Sequence, residues 1–211
     1  MGEELKDLIA NLKEEAALEK VKAMLSAGED PLNIMAGARE GMRLVGDKFA
    51  AETYFIPDLV FSGEILKQVA EILEPHLKSG AAEGPASRGK VIIGTVAGDI
   101  HDIGKDLVVF MLGANGFEVV DLGIDVPAEK FVEAIRESGS GVVGLSGFLT
   151  LAFDSMKETI ETIKAAQLRD RVKIMIGGGQ IDDQVLQYTG ADAYGKDAQE
   201  AVNLAGGWIG G

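Results

Sequence analysis

The chain has 211 residues, 46% of them hydrophobic and 26% charged, which is the balance of a globular protein long enough to bury one core or two modest ones. Its 20 basic and 34 acidic residues give a net charge of −14, and the basic residues do not cluster, which argues against a nucleic-acid partner. There is no cysteine, so disulfides, thiolate metal sites and thiol nucleophiles are excluded; no apolar run approaches the roughly 20 residues that span a bilayer, and no membrane partner is expected.

The opening stretch, MGEELKDLIANLKEEAALEK, is acidic and amphipathic. It lacks the basic flank and apolar segment of a signal peptide, so a cytoplasmic location is expected. The first 77 residues read as helices. A short helix is expected around Leu5 to Leu12, and AALEKVKAMLSAG carries Leu18, Val21 and Leu25 in helical rhythm before Gly28 stops it. Asp30 and Pro31 form an N-cap and first-turn pair for a third helix, and Pro57 starts a fourth. In that last helix Leu59, Leu66, Val69, Leu73 and Leu77 make an apolar stripe. The expectation is a four-helix bundle over residues 1–77.

Residues 78–89, KSGAAEGPASRG, contain no large apolar side chain and read as a linker. From Lys90 the rhythm changes. Five short apolar runs (KVIIGTV, FEVVDLG, GVVGLSG, VKIMIGG and ADAYG) alternate with helices starting near Asp102, Pro127, Ala152, Asp182 and Asp197. Strands alternating with helices imply a parallel sheet covered on both faces. Residues 90–211 are therefore expected to form a doubly wound, flavodoxin-like (Rossmann-like) α/β domain with strand order 2-1-3-4-5. The fold class as a whole is a helical bundle followed by α/β.

In such a sheet ligands bind beyond the carboxyl ends of the strands, where strand order reverses between the first and third. The turn after the first strand is AGDIHDIG, and it carries one of only two histidines, His101, between Asp99 and Asp102. A phosphate loop does not fit: Gly98 and Gly104 are too far apart, Lys105 is followed by Asp106 rather than Ser or Thr, and two acids would repel an anion. A phosphoacceptor receiver domain would need an aspartate at the end of the third strand, where this chain has GLSGF. A conventional metal site lacks further ligands in the neighbouring turns. Taken alone, the turn would be a solvated loop in which Asp102 caps the next helix.

Three separated turns change that reading. Asp99-x-His101-x-x-Gly104 is followed by Ser146 and, later, by Gly177-Gly178 in IMIGGG. This resembles the DxHxxG, SxL and GG signature of base-off, His-on cobalamin-binding domains. The segment GMRLVGDKFAAETYFIPDLVFSGEILK is similar to the helical cap of methyl-carrying corrinoid proteins and of cobalamin-dependent methionine synthase. The overall plan resembles the corrinoid proteins of anaerobic methyltransferase systems acting on methylamines, methanol, betaines or aryl methyl ethers. The resemblance implies a corrinoid cofactor, cobalamin, alternating between methylcobalamin and cob(I)alamin.

It further implies that His101 is the lower axial cobalt ligand and that Asp99 orients it through the other ring nitrogen. Asp102 would cap the following helix at the edge of the site. Gly104, Gly177, Gly178 and Gly179 would leave room for the displaced nucleotide tail, with Ser146 and Thr150 hydrogen-bonding it. In the cap, Phe49 and Ile56 would shield the upper face. The partners implied are a substrate:corrinoid methyltransferase, a second methyltransferase with a folate or thiol acceptor, and a reductive activase. The cap would have to move aside for them, with the linker as hinge. The chain would be a carrier rather than an enzyme on its own.

Three departures stand out. Phe148 replaces the leucine of SxL and could crowd the tail slot. Ala152 stands where methionine synthase has a second serine in a relay with the aspartate and histidine, leaving Asp99 one partner short. The cap reads AAETYFIP where relatives usually have a Gly-Glu pair. A cobalamin-dependent regulator would share cap and cofactor domain but usually carries a DNA-binding module; the small subunit of a radical mutase lacks the cap.

Overall fold

The computed structural model describes residues 2–78, 87–179 and 181–210. Met1–Ala86 and Ser87–Gly211 form two compact units. Most of the stretch read as a linker, residues 79–86, lies outside the described residues.

The first unit consists of α1 (Gly2–Ala10), α2 (Glu14–Ser26), α3 (Pro31–Ala50) and α4 (Ile56–Lys78). Asp30 caps α3 by accepting the backbone N–H of Leu32 at 2.9 Å, with Pro31 in the first turn. At the start of α4 the N–H of Phe55 is taken by the carboxylate of Asp58 at 2.8 Å, the reciprocal half of a capping box. The α4 stripe is buried at Leu59, Leu66, Val69 and Leu73; the side chain of Leu77 lies outside the described residues. The face of α2 is turned slightly from the expected one. Ala17, Val21 and Met24 are buried, while Leu18 and Leu25 flank them half-buried, because Met24 reaches the core that Leu25 was expected to fill.

The second unit carries β1 (Lys90–Thr95), α5 (Ile103–Ala114), β2 (Glu118–Asp121), α6 (Ala128–Ser138), β3 (Val142–Gly147), α7 (Ala152–Ala165), β4 (Lys173–Gly178), α8 (Asp183–Thr189), β5 (Ala193–Tyr194) and α9 (Ala198–Ile209). All five strands are parallel in the order β2-β1-β3-β4-β5. Thr95 is in register with Ser146, and Ser146 with Gly177. The ends of the three central strands are thereby level, and their following turns stand side by side.

Alternation along the strands divides the sheet into two sides. Ile92, Val143, Leu145, Ile174 and Ile176 join Phe131, Ile135, Met156, Ile160 and Ile163 in one core beneath α6 and α7. Burying the Phe131 side chain alone contributes about 2–3 kcal/mol. On the other side, the strand positions nearest the turns are Thr95, Ser146 and Gly177, and α9 presents the small residues Ala198, Ala201 and Ala205. No helix among the described residues is long and apolar enough to cross a membrane.

Candidate functional site

Asp99 is the centre of the turn after β1. It is 1% exposed, and its carboxylate accepts four hydrogen bonds. One oxygen takes the backbone N–H of His101 at 2.9 Å, closing an Asx turn, and stands 2.7 Å from His101 Nδ1. The other takes the backbone N–H groups of Phe148 at 2.7 Å and Leu149 at 3.0 Å from the turn after β3. Burial pushes the acid upward, but the N–H of Leu149, the backbone and ring of His101 and the N–H of Phe148 outweigh it and hold the pKa down at about 2. Asp99 is therefore a permanent anion at neutral pH, and the imidazole donates to it from Nδ1. Nε2 has no hydrogen-bond partner among the described residues.

The turn is held from several elements. The hydroxyl of Thr95 donates to the carbonyl of His101 at 3.2 Å. Asp125, beyond β2, accepts the N–H of Gly98 at 2.7 Å and donates its own N–H to the carbonyl of Asp99 at 3.0 Å. Lys105, buried at the start of α5, is 2.6 Å from both Asp106 and Asp121. Burial works against its charge, but the two carboxylates more than compensate and raise its pKa. Sequence reading missed Asp125 and the burial of Lys105, since Gly98 and Asp99 on the one hand and Asp121 on the other are distant from them in the chain.

Asp102 occupies the N-cap position of α5 but makes no side-chain cap bond. Its backbone is already helical (φ −110°, ψ −23°), whereas a capping carboxylate needs an extended residue to reach back to the next N–H groups. The expected helix cap is corrected accordingly. The expected gap beside Asp99 is corrected too: the amides of Phe148 and Leu149 fill its remaining acceptor positions, so Ala152 does not leave it short of a partner. Ala152 lies under the chain, where a Cβ placed on Gly147 would come within 2.6 Å of its methyl.

The glycines divide into two kinds. A Cβ on Gly104 would meet nothing within 4 Å, and one on Gly177 only the carbonyl oxygen of Gly195 at 3.9 Å. Gly178 is different: at φ +148° its Cβ would fall 1.8 Å from the carbonyl oxygen of Gly147. A Cβ on Gly179 would strike Phe148 at 3.0 Å. Glycine at 178 and 179 is thus required by neighbouring protein atoms. Ser146 is half-buried and Thr150 exposed; neither hydroxyl bonds a protein group among the described residues. Around His101, Ile100, Ile103, Phe148, Leu149 and Leu151 are all exposed, an apolar rim unusual for solvent-facing turns. In the helical unit Phe49 is half-buried and Ile56 is exposed, in company with Phe55, Val60 and Phe61, which sequence reading did not single out.

Residues 89–203 match the B12 binding domain family, and residues 1–74 match a second family with the same description. Over 199 residues the chain is 41% identical to trimethylamine corrinoid protein 2 of Methanosarcina acetivorans, spanning 94% of this chain and 91% of the relative. The chain belongs to the B12-binding corrinoid protein family. Its cofactor is a corrinoid. A crystal structure of a cobalamin-binding protein from Desulfitobacterium hafniense is 37% identical and superposes with a TM-score of 0.85, covering 99% of this corrinoid protein and 98% of that chain. A chain in the methanol:cobalamin methyltransferase complex of Methanosarcina barkeri is 27% identical with a TM-score of 0.78, covering 98% and 78%.

The residues fit that group. A corrinoid would need a nitrogen donor for its metal, an apolar bed for its ring and room for its tail; Nε2 of His101, the exposed isoleucines and leucines around it and the space beside Gly104 and Gly177 are the groups that would supply them. Among the described residues no three His, Asp or Glu side chains converge on a common metal position.

Proposed function

We propose that this chain is a methyl carrier: it receives a methyl group on its corrinoid from a substrate:corrinoid methyltransferase and presents it to a second methyltransferase. The observation that carries the proposal is the Asp99–His101 pair, with Nδ1 engaged by a buried carboxylate and Nε2 left for a metal. When bound, the corrinoid supplies the cobalt that takes up and releases the methyl group.

His101 would hold the metal through Nε2 as a neutral imidazole, and Asp99 fixes the tautomer that makes this nitrogen a donor. Because three backbone amides and the ring share the carboxylate, its orientation is fixed. Gly104, Ser146 and Gly177 would border the tail, with the hydroxyls of Ser146 and Thr150 as hydrogen-bonding groups. In the helical unit, Phe49 and Ile56 are the side chains that would shield the corrinoid from water. Functionally, residues 1–77 would be the cap, 78–89 the linker and 90–211 the cofactor domain.

The same reading makes the chain non-catalytic on its own. The substrate site and the acceptor site, folate or thiol, belong to the partner methyltransferases, and a reductive activase would restore oxidised cobalt. Mixing the purified chain with cobalamin should produce the absorption bands of a base-off, histidine-ligated corrinoid. His101→Ala should retain binding but shift the bands to those of an unligated lower face. Failure of the unaltered chain to bind cobalamin would sink the carrier reading.

A further inference from the structure

We propose that Phe148 is a positioning residue that sets the plane of the His101 imidazole. The proposal rests on the reading of His101 as lower axial ligand. The two ring centroids are 4.8 Å apart with a 34° interplanar angle. The Phe148 ring also occupies the space left by Gly179, where a Cβ would come within 3.0 Å of Cδ2 and 3.1 Å of Cε2. The backbone N–H of Phe148 donates to the same carboxylate that holds His101 Nδ1. One residue thus braces Asp99 through its main chain and His101 through its side chain.

Burial does not account for an aromatic here, since Phe148 is 57% exposed. The hydrogen bond to Asp99 fixes one point of the imidazole, and rotation about that bond remains. Contact with a ring face supplies the second constraint, which the leucine of the SxL pattern cannot offer because it has no flat surface. Gly179 is the seat of this brace, so its lack of a side chain serves His101 at one remove.

An aromatic contact of this kind should change the ratio of His-ligated to unligated cobalt by roughly two- to tenfold. The protein is loaded with cobalamin, reduced to cobalt(II) and examined by EPR at fixed pH, where nitrogen hyperfine splitting reports the axial imidazole. Phe148→Leu and Gly179→Ala should both lower the ligated fraction, and Phe148→Tyr should retain it. In the cofactor-free chain, the NMR signals of the His101 ring protons, identified by their loss in His101→Ala, should move in Phe148→Leu but not in Phe148→Tyr. Nitrogen splitting present in the unaltered protein and unchanged in both Phe148→Leu and Gly179→Ala overturns the role of Phe148 alone. Absence of splitting in the unaltered protein overturns the ligation reading beneath it.

Discussion

The two sides of the parallel sheet are built to different specifications. Beneath α6 and α7 the packing is close: Phe131, Met156 and Ile163 are fully buried, and a Cβ on Gly147 would collide with Ala152. On the opposite side, at the same height, the strands end in Thr95, Ser146 and Gly177, and an added methyl at Gly104 would touch nothing. One side repays folding with close contacts. The other forgoes contacts near the turns and so keeps space for a ligand. The contrast also separates glycines that look alike in sequence: among the described residues a Cβ on Gly177 would meet only the carbonyl oxygen of Gly195 at 3.9 Å, whereas one on Gly178 would fall on the carbonyl of Gly147 in the neighbouring strand.

The largest test of that contrast is Gly178→Ala. The new methyl would meet the Gly147 carbonyl, and the positive φ adds strain, so stability in urea unfolding should drop by about 4 kcal/mol or more. A loss below about 1 kcal/mol would show that β3 and β4 can part without consequence.

Next in size is Asp99→Asn, which leaves buried N–H groups facing an amide. Unfolding at pH 7 should show a loss of about 3 kcal/mol. The acid dependence has a definite sign. The folded-state pKa of Asp99 lies at about 2, below the ordinary 3.8, so its contribution is complete above roughly pH 4 and disappears as pH falls toward 2. The gap between the unaltered chain and the asparagine variant should therefore narrow over that interval; a constant gap would mean the carboxylate is not preferentially ionised in the fold.

Smallest in stability, but sharpest for function, are Gly104→Ala and Gly177→Ala. Neither should change unfolding of the cofactor-free chain by more than about 0.5 kcal/mol, apart from a slight gain in helix propensity at residue 104. Both should weaken cobalamin binding in calorimetric titration by roughly tenfold, the scale of one misplaced methyl in a fitted cavity. Unchanged affinity in both variants would place the nucleotide tail elsewhere.

Much of this was legible in the residues themselves. The five strands and the helices between them follow from periodicity, because each strand's apolar run is bounded by turn residues and each helix carries its own stripe. The Asp99–His101 pair was legible only through the resemblance to a three-turn signature, because the turn taken alone reads as a solvated loop; the Asx turn that brings the carboxylate to the ring is a finding of the structure. The completion of Asp99 was not legible, since backbone amides such as those of Phe148 and Leu149 leave no mark on residue type. The capping failure of Asp102 depends on its own φ and ψ, and the separate duties of Gly177 and Gly178 depend on which backbone atoms lie beside each. Phe55 and Val60 escaped notice because an exposed apolar residue in a helix has the same spacing as a buried one.

Lys105 carries a consequence for how this sequence can drift. A buried ammonium at the positive end of α5 is tolerable only while it is paired with carboxylates, here Asp106 and Asp121. Losing Asp121 leaves the charge only Asp106, whose side chain is mostly exposed, whereas losing Asp106 leaves the less exposed Asp121 in place. The lysine is therefore bound chiefly to Asp121: descendants should keep that pair or replace both members together, while residue 106 is freer to vary.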